Sequence, residues 1–419
     1  MHIQDLSRQS GRNNYSTYEN QGSGEVWIRI LPMNNNKIST LFLIPSLYTG
    51  GAEMRALDIA RHIRPWNNTI LACSQSPDLE CLRNDFRSLG AKYEPAFIFD
   101  DPQYAKTQTE KIVNISRSFI STIRLILRYK PHNVFITMPS PSSTLGSILA
   151  CALFKKRSVI RFALVTDGLR FSPTRKRLLN WAKERNQIWV ALSEDSRKTL
   201  CRTMERPLSG IHLIYNGFCR TPGSQSSCFS EPSLRNEFSL PEHARLVLTV
   251  GSLIHRKGPD LLIPTVPHIL EKHPDVFFLW AGANEKDSRY RSLIEEYGIQ
   301  QHVILLGNRE DIPRLMQETD LFVFPTRYEG FPSAVLEAIY YRLPVISFNT
   351  SSIPEIITHR VTGLLARKED PCDLQANILY ALEHPHEMRT YAERALNILD
   401  TYSVKSMMNS YAKLLGKGQ

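Results

Sequence analysis

Two places in this chain begin in the same way. Residues 40–45 (TLFLIP) form a continuous apolar run, followed by a glycine turn at Gly50–Gly51 and a helical pattern over 54–63. Residues 245–250 (RLVLTV) form a second run, followed by Gly251 and a helical pattern from about Asp260. A run that is apolar at every position has no face to offer water. It suits a strand covered on both faces, as in a parallel sheet. Strand, glycine turn, helix is the opening of a doubly wound unit. More apolar runs follow each opening, at 69–73, 133–137, 159–165, 188–191 and 211–214, then at 276–281, 303–306, 321–325 and 343–348. The predicted class is α/β, with two tandem doubly wound, Rossmann-like lobes facing an interdomain cleft.

This grammar divides the 419 residues. Residues 1–37 read as a polar, loosely ordered extension and 38–217 as the first lobe. Residues 218–241, rich in Ser and Pro, read as the linker. Residues 242–385 form the second lobe, and 386–419 are expected to be helices packing back on the first. Residues 1–24 hold no apolar core, so no secretory leader is expected. The best membrane candidate, 143–154, is shorter than the ~20 residues a spanning helix needs. Seven Cys cannot all pair internally and none forms a CxxC, which suits reduced thiols in the cytoplasm.

Charge narrows the partners. Lys and Arg number 51 against 41 Asp and Glu, a net +10, which favours an anionic partner. Residues 155–185 hold ten of these cations and two acids. Ile112, Ile115, Phe119, Ile120, Ile123, Ile126 and Leu127 recur at helical spacing, with Arg117, Arg124 and Arg128 on another side. Two readings stand for these windows. They are core packing and a solvated face, or a peripheral footprint on an anionic membrane surface at its cytoplasmic side. Nucleic acid is not expected, since no zinc spacing, helix-turn-helix or aromatic ribonucleoprotein pattern occurs.

The richest stretch is 324–339 (FPTRYEGFPSAVLEAI). A strand ends near Pro325, a loop carries Glu329 and Gly330, and Pro332 stands where a first helical residue belongs. The N–H groups near Gly330, Phe331 and Ser333 are then free at a helix start, which attracts phosphate. Glu337 falls about 6–7 Å further along the axis, where a carboxylate can accept the hydroxyls of a ribose. Glu329 would face the group beyond the diphosphate. Residues 250–258 (VGSLIHRKG) bring Arg256 and Lys257 to the same cleft, a basic pair able to stabilise a departing diphosphate without metal. Gly50 and Gly51 would let the first lobe's backbone come close to the ligand.

These residues resemble the retaining glycosyltransferases of the GT4 group, the glycosyl transferases group 1, which share the two-lobe GT-B fold. The resemblance covers roughly residues 38–415. It rests on Glu329 and Glu337 (E-x7-E), on Lys257–Gly258, on IYNG at 214–217, and on IPE at 353–355 with TGLL at 362–365. It implies that Glu329 lies by the donor sugar, that Glu337 binds ribose, and that Lys257 with Arg256 binds the diphosphate. The donor would be a UDP- or GDP-linked sugar, a substrate rather than a cofactor. The acceptor would be a saccharide or a lipid-linked molecule met in the first lobe, in surface polysaccharide or glycolipid assembly. The transfer would be of a hexosyl type.

The chain departs from the family pattern at three places. Ser252 stands where many members have Arg, Asp167 where many have a sugar-contacting His, and Ser351–Ser352 where many have two glycines. Asp167 is accordingly a candidate sugar or acceptor contact. No D-x-D triplet and no H-E-x-x-H occurs, so no metal site is expected. Two rival functions remain, a nucleotide-sugar epimerase on the same fold and a non-catalytic scaffold subunit that keeps it.

Overall fold

The first apolar run becomes the strand Ile38–Ile44 of a computed structural model, which describes residues 15–19, 26–30, 37–218, 233–284 and 287–416. Leu41 and Leu43 enter one hydrophobic cluster, and Phe42 and Ile44 another on the opposite face of the sheet. All four are fully buried, which is why the run has no polar alternation. On one side this strand pairs with Asn67–Cys73, which in turn pairs with Lys92–Pro95 at the edge. On the other side come Asn133–Met138, Arg157–Phe162, Gln187–Ala191 and the short His212–Leu213. Every pairing is parallel, and the order counted along the chain is 3-2-1-4-5-6-7.

The second lobe repeats the construction. Leu246 and Leu248 of Arg245–Val250 face one cluster and Val247 the other. Its six parallel strands are Arg245–Val250, Val276–Ala281, Val303–Gly307, Leu321–Phe324, Val345–Phe348 and Leu364–Ala366. Their order is 3-2-1-4-5-6. Helices cover both faces of both sheets, so the carboxyl ends of the strands carry the loops that face the cleft.

Within residues 1–37, the strands Tyr15–Glu19 and Val26–Ile30 pair antiparallel. The remainder of that extension up to residue 36, and residues 219–232 of the expected linker, lie outside the described residues. The chain leaves the first lobe at Phe218 and returns at Ser403, and the two crossings are zipped together. Phe218 N–H donates to the Tyr402 carbonyl at 2.8 Å, and Val404 N–H to the Phe218 carbonyl at 3.1 Å. Gly217 has no room for a side chain here, because a Cβ would sit 2.4 Å from Val404 Cα. The last helix, Val404–Leu414, then puts Met407, Met408 and Tyr411 into the first lobe's core. Helix Pro385–Ala395 does not cross with it, since Met388 and Tyr391 pack in the second lobe. The return therefore begins near residue 403 and not at 386.

One carboxylate ties the lobes together. Glu355, at the end of the short turn Ile353–Glu355, accepts the backbone N–H groups of Glu194 and Asp195, each at 2.9 Å. Those residues open helix Glu194–Met204 of the first lobe, so an anion from one lobe meets the positive helix end of the other. Tyr402 donates its hydroxyl to the Glu355 carbonyl at 2.7 Å. Glu355→Ala should therefore cost about 2 kcal/mol of stability, the worth of charge-assisted bonds to backbone donors. Urea unfolding measures that cost, and small-angle scattering should show a wider particle. An unchanged midpoint and radius would show that the lobes are held elsewhere.

Candidate functional site

The strand Leu321–Phe324 ends at Pro325, and the chain loops to helix Ser333–Tyr340. Pro332 is the cap residue and Ser333 the first helical one, a single step later than the sequence pattern suggests. No side chain caps this helix, so its first-turn N–H groups look toward the cleft without a side-chain acceptor. The loop lies against the first lobe. A Cβ on Gly330 would meet the Ala163 carbonyl oxygen at 1.9 Å, so only glycine permits this approach.

Arg256 and Lys257 come from the turn His255–Lys257 that follows the second lobe's first strand. Gly258 ends the turn with φ +74, where a Cβ would stand 1.9 Å from the Pro325 carbonyl oxygen. This contact presses the basic turn onto the loop that carries Glu329. Arg256 Nη1 donates to Glu329 Oε1 at 2.7 Å and Lys257 Nζ to the same oxygen at 2.5 Å. Thr326 adds its hydroxyl to that oxygen at 3.0 Å. Lys257 also lies 4.6 Å over the Phe324 ring. Glu329 is only 8% exposed. Burial pushes its carboxyl up, but Lys257 and Arg256 outweigh burial and hold it below the usual carboxylate range.

Two residues that the sequence marks only as departures hold the backbone that carries this carboxylate. Ser351 accepts the Glu329 N–H at 2.9 Å, and Ser352 donates to the Glu329 carbonyl at 3.3 Å. These are the two serines at which the sequence departs from the pattern it otherwise resembles. Ser351 keeps a left-handed backbone, φ 43, as a glycine would. Their contacts span 22 and 23 residues of chain, so no local pattern could reveal them.

Glu337 lies on the same helix, one turn in. Burial pushes its carboxyl up to about 7, and Arg55 of the first lobe pulls against that shift. Gly50 and Gly51 stand opposite, at the start of helix Gly51–Ile63. That helix start is occupied from within, since Glu53 accepts the Gly50 N–H at 2.9 Å and also the Ser46 hydroxyl. A Cβ on Gly51 would touch nothing within 4 Å, so the turn is open on its outer side. Tyr48, just before it, is held above its ordinary range by burial and by Tyr104 and Glu53, against the pull of Arg256. Arg256 of the second lobe therefore lies near enough to Tyr48 to act on its charge. Asp167 is joined to Lys368 of the second lobe at 3.0 Å, a bridge between the lobes. Among the described residues, no group of three or more His, Cys, Asp or Glu is placed to hold a metal ion.

The structure therefore gathers Glu329, Lys257, Arg256 and Gly330 through Ser333 into one cluster with Glu337 on the same helix. Residues 230–397 match the family described as glycosyl transferases group 1. The chain is 26% identical over 185 residues to an uncharacterized glycosyltransferase of Methanocaldococcus jannaschii, covering 43% of this chain and 47% of that protein. It is 30% identical over 177 residues to the D-inositol 3-phosphate glycosyltransferase of Corynebacterium efficiens, covering 40% and 41%. The chain spans about half the length of the curated relatives it matches. Solved structures match over more of it. HepE of Anabaena, crystallised with UDP-glucose, superposes with a TM-score of 0.71 at 21% identity, covering 90% of this chain and 99% of that one. WaaG, a glycosyltransferase involved in lipopolysaccharide biosynthesis, gives 0.67 at 16%, covering 91% and 100%. The fold is that of the two-lobe GT-B glycosyltransferases.

The raised Glu337 has a consequence for pH. Its folded value of about 7 lies above the ordinary 4.5, so the group is protonated below 7 and stability is lost as pH rises through that interval. A protonated carboxyl accepts fewer hydroxyl bonds. If Glu337 takes the ribose hydroxyls of a nucleotide, as proposed below, nucleoside diphosphate affinity should fall by up to about tenfold per pH unit below 7. Calorimetry from pH 5.5 to 8 tests this. Glu337→Gln should flatten the profile, and a profile that keeps its slope in that variant would assign the titration to another group.

Proposed function

We propose that this chain, with a match to glycosyl transferases group 1 over residues 230–397 and a GT-B fold, is a retaining, metal-independent hexosyltransferase. It moves a sugar from a UDP- or GDP-linked donor to an acceptor hydroxyl, in surface polysaccharide or glycolipid assembly. The observation that carries the reading is the double cation on Glu329 beside an uncapped helix start. Glu329 offsets one of the two positive charges of Lys257 and Arg256, which leaves the trio cationic. A donor diphosphate brings competing negative charge to those cations and to the N–H groups of Gly330, Phe331 and Ser333. Glu337 takes the ribose hydroxyls. The described donors to Glu329 all use Oε1, which leaves Oε2 for the sugar.

In the transfer step the bond between the anomeric carbon and the diphosphate oxygen breaks. The acceptor oxygen bonds to the same face of that carbon, and its proton passes to the departing phosphate. Arg256, Lys257 and the helix start stabilise the charge that develops on the leaving group. Lobe closure around Gly50 and Gly51 excludes water, with Asp167 near the acceptor side.

A membrane surface is a second element of the reading. No described helix is long and apolar enough to cross a membrane. Helix Gln108–Tyr129, however, leaves Ile112, Val113, Ile120 and Leu127 exposed. At 100° per residue they share one side, with the exposed Arg117, Arg124 and Arg128 along its flank. Arg175 of the basic window is not part of that surface, because it is bonded to the carbonyls of Pro141, Ser142 and Ser143. An apolar strip flanked by cations suits peripheral binding to an anionic bilayer.

Two experiments test these proposals. Glu329→Gln frees both cations from their carboxylate, so nucleoside diphosphate affinity should hold or rise while sugar transfer falls at least a hundredfold. EDTA should leave the unaltered rate unchanged. Lost nucleotide affinity in Glu329→Gln, or a rate restored only by Mg²⁺ or Mn²⁺, would overturn this site. For the membrane, Ile120→Glu with Leu127→Glu should abolish sedimentation with anionic liposomes, and salt should weaken it in the unaltered protein. Equal binding to neutral vesicles, or none to either, contradicts the surface reading.

A further inference from the structure

Arg161 is the most unusual charge in the molecule. It sits inside the first lobe's sheet, in Arg157–Phe162, and is 1% exposed. Its Nη2 donates to Asn216 Oδ1 at 2.8 Å, while Nε and Nη1 have no hydrogen-bond partner among the described residues. Tyr411, Arg55 and Glu53 act on its charge, the Tyr411 hydroxyl also as a hydrogen-bonding neighbour, and no carboxylate is bonded to it. A buried guanidinium held by neutral groups alone, the Asn216 amide and the neighbouring Tyr411 hydroxyl, is costly, and a core position could have taken an apolar side chain instead.

The bond to Asn216 explains the placement. A guanidinium only donates, so the Asn216 amide must turn its oxygen toward Arg161 and its NH₂ the other way. That NH₂ donates to the Phe331 carbonyl of the second lobe at 3.2 Å. The Phe331 ring is packed between Tyr215, at 5.1 Å, and Tyr402, at 4.8 Å, so the whole residue is seated in the seam. Phe331 lies two residues before helix Ser333–Tyr340. Its carbonyl is the last oxygen but one before the free N–H groups of that helix. Turned into the cleft, it would set a partial negative charge against an incoming phosphate.

We infer that Arg161 and Asn216 are positioning residues for the diphosphate site. Arg161 fixes the orientation of the Asn216 amide, and Asn216 draws the Phe331 carbonyl toward the first lobe and away from the anion. Arg161 and Asn216 belong to one lobe and Phe331 to the other, so the relay is complete only when the lobes meet. Closure and anion binding are thereby coupled. This rests on the nucleotide-sugar reading above and adds residues that do not touch the donor.

Asn216→Asp separates this role from packing. Aspartate still accepts from Arg161 but has no N–H for Phe331, and it sets an anionic oxygen against the carbonyl. Calorimetry with inorganic pyrophosphate and with UDP, beside the thermal midpoint, reads the result. Asn216→Asp should lose about tenfold in affinity for both at an unchanged midpoint. Arg161→Met, which releases the amide to turn, should lose affinity similarly, and Arg161→Lys should restore most of it. Undiminished affinity in Asn216→Asp, or affinities that simply follow the midpoints across the set, would overturn the inference while leaving the donor site standing. Failure of the unaltered protein to bind either probe would overturn the nucleotide-sugar reading, and the relay with it.

Discussion

Glu329 carries its charge inside the cleft because Lys257 and Arg256 both donate to one of its oxygens. A buried carboxylate with one cation removed would be left poorly compensated, so the three side chains stand or fall together. Their geometry reaches into the backbone. Gly258 must be left-handed to bring the basic turn against Pro325, and Ser351 must be left-handed to receive the Glu329 N–H. The trio therefore keeps a net positive charge, with both cations held in place by the one carboxylate.

The other wall of the cleft depends on contacts between the lobes. Gly330 rests on the Ala163 carbonyl, Glu355 on the start of helix Glu194–Met204, and Asn216 on the Phe331 carbonyl. Phe218 and Ser403 mark where the chain crosses, side by side, which suits a hinge. A donor bound at the Gly330 loop thus touches the same loop that the first lobe touches. In the proposed reaction, this shared loop is the route by which donor binding and lobe closure would influence one another.

Much of this was legible in the sequence. Runs apolar at every position signalled strands buried on both faces, and Leu41 through Ile44 divide between two cores as that pattern requires. The spacing of Glu329 and Glu337 around a Gly-Phe-Pro loop located the helix start to within one residue. What stayed hidden was set by partners distant in the chain. Arg161 lies in a strongly basic window that reads as a charged surface, yet it is buried behind Asn216. The stripe from Ile112 to Leu127 has helical spacing, but spacing cannot say which side a neighbour covers. Helix Leu145–Leu153 packs through Ser118, Thr122 and Ser147, small residues outside the stripe, and Ile112, Ile120 and Leu127 stay exposed. The Glu355 clamp likewise joins residues 160 and 161 positions apart.

The most direct measurement is a crystal structure of the chain with a nucleoside diphosphate. The exchange of partners at Glu329 requires Lys257 Nζ and Arg256 within hydrogen-bond reach of phosphate oxygens. The diphosphate should lie over the N–H groups of Gly330, Phe331 and Ser333, with the ribose on Glu337. A diphosphate bound elsewhere in the cleft, with Lys257 and Arg256 still on Glu329 and no phosphate in reach, would contradict that exchange and the function built on it.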